Sequence, residues 1–120
     1  MMEKRENVIV RKTETFADRI IKMCKYLSRQ KSGDKEMIRQ IYRSGTSIGA
    51  NTAESQYAQS RADFLTKLTI ALKEANETLY WIGRLYKGGN LSDKEYESIK
   101  TDNEEIIKIL TSITATVKDS

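Results

Sequence analysis

Proline occurs nowhere in these 120 residues, and four stretches of the chain repeat apolar residues at alternating intervals of three and four. A helix turns about 100° per residue, so this spacing gathers the apolar side chains on one face. Without Pro, nothing in those stretches breaks the backbone hydrogen bonds of a helix. Each stretch therefore predicts an amphipathic helix, marginal by itself, that must bury its stripe against others.

Phe16, Ile20, Met23, Cys24 and Leu27 define the first helix, over about residues 15–31. The Val8, Ile9, Val10 run before it reads either as an earlier helical entry or as an extended arm on a neighbour. Ser32, Gly33 and Asp34 break the chain, and Asp34 is placed to cap a second helix carrying Ile38, Ile41, Ile48 and Thr52. Residues 44–53 of that helix are nearly all small. Gly45 and Gly49, four apart, predict a close approach by a partner helix. Ser60 and Asp63 open the third helix as an acidic form of the capping box, followed by Phe64, Leu68, Ala71, Ala75, Leu79, Ile82 and Tyr86. Gly88 and Gly89 stop it, and Ser92 with Glu95 starts the fourth. There Tyr96, Ile99, Asn103, Ile106, Leu110, Ile113 and Val117 form a seam with one Asn in it. Four helices joined by short loops predict an all-α protein, an antiparallel up-down-up-down four-helix bundle occupying residues 1–120 as one domain.

Histidine is absent, which excludes Ser-His and Cys-His nucleophile pairs, His-ligated zinc and imidazole acid-base chemistry. The Glu-x-x-His pairs of a di-iron bundle are excluded with it. Cys24 is the single cysteine; on the apolar stripe it reads as core rather than nucleophile. No catalytic residue, metal ligand or cofactor site is expected. No apolar run approaches the roughly 18 residues needed to cross a bilayer. The lone cysteine and the absence of a secretory pattern point to the cytoplasm.

Two polar stripes stand out. Arg43, Ser47, Asn51 and Glu54 share a face of the second helix, and Asp63, Lys67, Glu74 and Trp81, with Glu77 beside them, recur along the third. They read as solvated faces or, in the sharper reading, as a semi-buried network or subunit interface. Charge reversal at Glu54 is accordingly expected to disturb folding or assembly before any ligand binding. Charge is uneven along the chain. Residues 1–32 hold nine Lys and Arg against four Asp and Glu, and residues 91–120 hold four against seven. In an up-down bundle the first and fourth helices are neighbours. Their charges could neutralise each other, or Lys4, Arg5, Arg11, Lys12, Arg19, Lys22, Lys25, Arg29 and Lys31 could leave a basic surface for nucleic-acid phosphates.

The run Arg43-Ser44-Gly45-Thr46-Ser47-Ile48-Gly49-Ala50-Asn51-Thr52-Ala53-Glu54, followed by Asp63-Phe64, Lys67-Leu68, Ala71, Lys73-Glu74-Ala75 and Glu77 to Trp81, resembles the four-helix bundle proteins encoded in intervening sequences of bacterial 23S ribosomal RNA genes. Thr52 departs from the pattern, which more often has a larger aliphatic residue there. The resemblance implies a ring-shaped homopentamer. It also implies kinship with the accessory variability determinant of diversity-generating retroelements, a basic pentameric bundle that binds nucleic acid. Its motif falls on Arg43, Ser47, Asn51, Glu54, Asp63, Lys67, Glu74 and Glu77, the same positions as the polar stripes. The expectation is a non-enzymatic homo-oligomer that binds RNA or a ribonucleoprotein partner through basic side chains of the first helix and the flanking turns. The competing expectation is a protein-protein adaptor without nucleic-acid contact.

Overall fold

The computed structural model describes the backbone of residues 4–119 and the side chains of residues 7–119. Four helices follow one another, α1 (Lys4–Arg29), α2 (Lys35–Ser55), α3 (Arg61–Lys87) and α4 (Asp93–Lys118), with no strand among the described residues. The first helix begins well before residue 15, so Val8, Ile9 and Val10 are helical and not an extended arm. Ile9 and Thr13 continue the stripe of Phe16 and Ile20, and both are buried. The local β preference of three β-branched residues yields to this tertiary burial.

The helix ends follow their side chains. The last turn of α1 closes with Ser32 N–H donating to the Leu27 carbonyl and Lys31 N–H to that of Ser28, at 2.9 and 3.2 Å, while Lys31 takes a left-handed φ of 51°. The Asp34 carboxylate accepts from Met37 N–H at 3.0 Å and starts α2. Ser60 accepts from Asp63 N–H, but the Asp63 carboxylate reaches back to Gln59 N–H rather than to the cap residue itself. The third helix ends with Gly89 N–H bonded to the Tyr86 carbonyl and Asn90 N–H to that of Leu85, Gly89 having φ 82°. Ser92 and Glu95 form the reciprocal capping box of α4.

Cross-helix contacts give the direction of each neighbour. Position 20 meets 45 and position 13 meets 49 between α1 and α2. Arg43 reaches Glu74 while Glu54 reaches Lys67 between α2 and α3. Asn103 meets Ala75, and Tyr86 stacks on Tyr96, between α3 and α4. In every case residue numbers rise along one helix as they fall along the next, so the neighbours are antiparallel. The fourth helix closes on the first through Lys12–Glu105 and Arg19–Asp102, completing the up-down-up-down ring in a rod of 46 × 22 × 18 Å.

Its axis is filled by Phe16, Ile20, Ile41, Ile48, Leu68, Ile82, Ile106 and Leu110, all at most 2% exposed. Two of the buried polar contacts cross between helices. Ser44 and Thr78 bring their hydroxyls to 2.9 Å across α2 and α3, and Thr78 Oγ1 also lies 2.8 Å from the Glu74 carbonyl. Asn103 is fully buried, and its amide nitrogen donates to the Ala75 carbonyl at 3.0 Å. Asn103 Oδ1 has no partner among the described residues. A lone buried polar group of this kind fixes register at a cost in stability.

The small-residue run of α2 lies against α1. A methyl group added at Gly45 would stand 2.8 Å from Ile20 Cγ2 and 2.9 Å from its Cγ1, and Ile20 is fully buried with nowhere to retreat. At Gly83, on α3, nothing lies within 4 Å of the added methyl. Opposite signs follow from one chemical change. Gly45→Ala is expected to lower stability by about 1–3 kcal/mol through overpacking, and Gly83→Ala to raise it by about 0.5–1 kcal/mol through helix propensity. Urea denaturation of the two variants beside the parent measures both.

Candidate functional site

Where two amphipathic helices meet, the residues flanking the apolar stripe line the edge of the contact, and their polar ends partner across it. Along α2 and α3 this edge carries the polar stripes of the sequence. Arg43, a little under half exposed, sends its guanidinium across to Glu74 at 3.1 Å and to Glu77. Glu77 also accepts from the Trp81 indole N–H at 3.0 Å. The Glu74 side chain is only 18% exposed. These four residues form a continuous half-buried network. Lys67 pairs with Glu54 at 2.9 Å further along the same edge, and the Asn51 amide donates to the Ser47 carbonyl at 3.0 Å within α2. Asp63 sits at the α3 cap, where its charge reaches Lys67 over a distance. The stripes are thus one seam in three pieces rather than one connected network.

Electrostatics follow the contacts. The Trp81 indole, and then the Arg43 guanidinium, hold the Glu77 carboxyl below its ordinary value of 4.5. Hydrogen bonding to Glu54 raises Lys67. Burial pushes the Cys24 thiol up to about 11, so it stays protonated and unreactive at neutral pH. Among the described residues, no three Asp, Glu or Cys side chains cluster so as to hold a metal ion.

The nine basic residues of the first helix and the turn after it do not act as one set. Lys12 and Arg19 turn toward α4, where Glu105 and Asp102 hold them at 2.8 and 2.7 Å, and Arg19 also donates to the Ser98 hydroxyl. For these two, mutual neutralisation with the acidic fourth helix is what the structure shows. Arg11, Lys22, Lys25, Arg29 and Lys31 are exposed and have no carboxylate partner among the described residues. Arg11, Lys22, Lys25 and Arg29 lie within about 60° of one another on the helix surface, opposite the buried Ile9, Phe16, Ile20 and Leu27. The side chains of Lys4 and Arg5 lie outside the described residues. Sequence reasoning missed that α2 adds Lys35 and Arg39 beside this stripe. Their spacing from Asp34, next to the turn that folds α2 back on α1, was the available signal.

These features define a class, a small antiparallel four-helix bundle with a polar seam on one side and a cationic outer helix on another. Residues 5–112 match the family model of the 23S rRNA-intervening sequence protein, and the chain belongs to that family. A crystal structure of a protein of unknown function, from the S23 ribosomal protein family of Bacteroides thetaiotaomicron, is similar at 49% identity with a TM-score of 0.89. The alignment covers 92% of this chain and 98% of that one. No curated protein matches the chain. No helix among the described residues is long and apolar enough to cross a membrane.

The seam makes two measurable statements. Arg43→Ala leaves Glu77 half-buried without its cation and is expected to cost about 1 kcal/mol. Glu54, well exposed beside a single lysine, carries less, so Glu54→Lys is expected to shift the melting temperature of the isolated chain by less than Arg43→Ala does. The depressed Glu77 pKa contributes stability that is present above the unfolded carboxylate value and lost as pH falls through the folded one. Trp81 is the only tryptophan, so its emission reports this titration directly. An acid titration of the parent is expected to show a step with a midpoint below 4.5, and Glu77→Gln to abolish it; a step that persists in the variant contradicts the assignment.

Proposed function

We propose that this chain is a non-enzymatic, homo-oligomeric scaffold that binds RNA, alone or within a ribonucleoprotein, through the outer face of α1. The observation that carries this reading is the division of charge on that helix. The acidic fourth helix absorbs Lys12 and Arg19, while Arg11, Lys22, Lys25 and Arg29, with Lys31 in the turn that follows, project without an ion pair among the described residues and outnumber the exposed Glu14 and Asp18 on the same side. Lysines and arginines free of protein partners gain the counterion-release energy of phosphate contact in full, whereas paired ones must first break a bond.

The helix is about 39 Å long at 1.5 Å per residue, enough for its cations to track several phosphates. Assembly is supported by exposed small and apolar residues on the neighbouring helices. The exposed surface of α2 and α3 includes Ala50, Ala53, Ile70 and Tyr80, small or apolar positions suited to packing against another copy. Assembly as a homopentamer, the state expected from the resemblance, would multiply the basic face and its avidity without any new contact. The chain supplies no imidazole, and its one thiol is buried and protonated, which supports a binding role rather than a catalytic one.

The test is binding of the purified oligomer, sized by light scattering, to labelled structured RNA over a salt series. Binding is expected to weaken steeply with salt. Substituting Arg11→Gln and Lys22→Gln together is expected to reduce the slope of log K against log salt by about 1–2, without changing oligomer size. No RNA binding at low salt would overturn the reading in favour of a protein-protein adaptor.

A further inference from the structure

Among the described residues, grooves lie along the edges of α1, and the charge of three of them differs. The largest, about 690 Å³ between α1 and α4, contains Arg19, already committed to Asp102, and balances Lys22 with Glu95. A second, of about 320 Å³, contains the Lys12–Glu105 pair and Asp102. The third, about 500 Å³ between the last turns of α1 and the first turns of α2, is different. Lys25, Arg29, Lys35 and Arg39 stand on its rim. No carboxylate lines it, and Glu36 holds Arg39 at 2.7 Å in a two-pronged pair. Lys25, Arg29 and Lys35 have no ion pair among the described residues. The floor is apolar, made by Cys24 and Ile38, whose side chains are buried in the core behind it. Tyr42 forms one wall and is 44% exposed.

A cationic rim over an apolar floor with an aromatic wall suits a ligand that is anionic outside and flat and apolar within. We propose that this groove seats an unpaired nucleotide of single-stranded RNA, its base against Tyr42 and the Cys24–Ile38 floor and its flanking phosphates on Lys25, Arg29 and Lys35. The inference rests on the RNA-binding reading above and narrows it from the whole basic face to one position and one form of RNA. Every base has a π-face that can stack on a tyrosine, so the site reads unpaired structure and little sequence. A duplex, with its bases stacked inside, reaches the cations but not the groove. The groove also adjoins the outer stripe, because Lys25 and Arg29 belong to both.

Fluorescence anisotropy with a labelled adenine-rich single strand and a duplex of equal length tests this. Tyr42→Ala is expected to weaken the single strand about tenfold, the usual loss of one base–aromatic stack, and to leave the duplex within about twofold. Tyr42→Phe is expected to retain the parent affinity for both, and Arg11→Gln, on the stripe but away from the groove, to weaken both alike. Lys35→Gln, at an exposed position, is a second handle on the groove that leaves the core untouched, and it is expected to weaken the single strand more than the duplex.

Equal single-strand binding by Tyr42→Ala and the parent, with Arg11→Gln still weakened, would overturn the groove and leave the RNA reading standing. Absence of binding to either RNA at low salt would remove both. Displacement of the RNA by a polyglutamate of equal charge would show a general anion surface, and displacement by micromolar adenosine monophosphate a free-nucleotide site; either result overturns the proposal.

Discussion

The contact on which the rest of the molecule depends is the approach of α2 to α1 at Gly45. Ile20 fills the space that any side chain at that position would occupy, and four residues on, the position of a Gly49 methyl lies 3.2 Å from the Thr13 carbonyl oxygen. Ile20, Ile41 and Ile48 are all fully buried where these helices meet. The second helix has little intrinsic helicity through its run of small residues, so packing against α1 is what holds it. The same contact fixes the rotation of α1 about its own axis. With Ile9, Phe16, Ile20 and Leu27 turned inward, Arg11, Lys22, Lys25 and Arg29 can only face out.

That rotation decides the electrostatics of the surface. A helix in a bundle has one flank against each neighbour and one free face, and cations on each experience different surroundings. On the α4 flank, Glu105 and Asp102 meet Lys12 and Arg19. On the α2 flank, Glu36 is used by its own helix for Arg39, and the exposed Glu14 and Asp18 of α1 are outnumbered by Arg11, Lys22, Lys25 and Arg29. Basic charge therefore concentrates on the free face and the α2 flank, at the end of the rod where residues 30–34 turn. The polar seam of α2 and α3 has a different character. Its acids are matched by Arg43 and Lys67, so it holds the helices in register and adds little net charge to the surface.

Much of the architecture was legible in the sequence because it depends on local spacing. Asp34, Ser60 and Ser92 cap their helices, Gly88 and Gly89 end the third, and the buried residues of α4 other than Thr114 fall on the seam that its three-and-four spacing defines. The start of α1 was not legible, since Val8, Ile9 and Val10 favour strands locally and become helical only because Ile9 has a core to enter. The site was legible in composition but not in pairing. Arg43, Glu74, Glu77 and Trp81 were picked out by helical position, and the structure joins them; Ser47 with Asn51, and Asp63, share the edge without joining that network. The basic residues of α1 could be counted from sequence. Which of them α4 neutralises depends on register between helices more than 80 residues apart, and the contribution of Lys35 and Arg39 on the turn of a hairpin.

The central claim is that the cations of the α1 free face and α2 flank meet RNA while those elsewhere do not. Lysine-selective chemical labelling, read by mass spectrometry with and without a single-stranded RNA bound, tests it most directly, because the exposed lysines are spread over every helix. The account predicts protection of Lys22, Lys25, Lys31 and Lys35, with Lys73, Lys87, Lys94 and Lys108 labelled equally in both states. Protection at Lys73 and Lys87 with none at Lys25 and Lys35 would contradict it, placing the RNA on α3 instead.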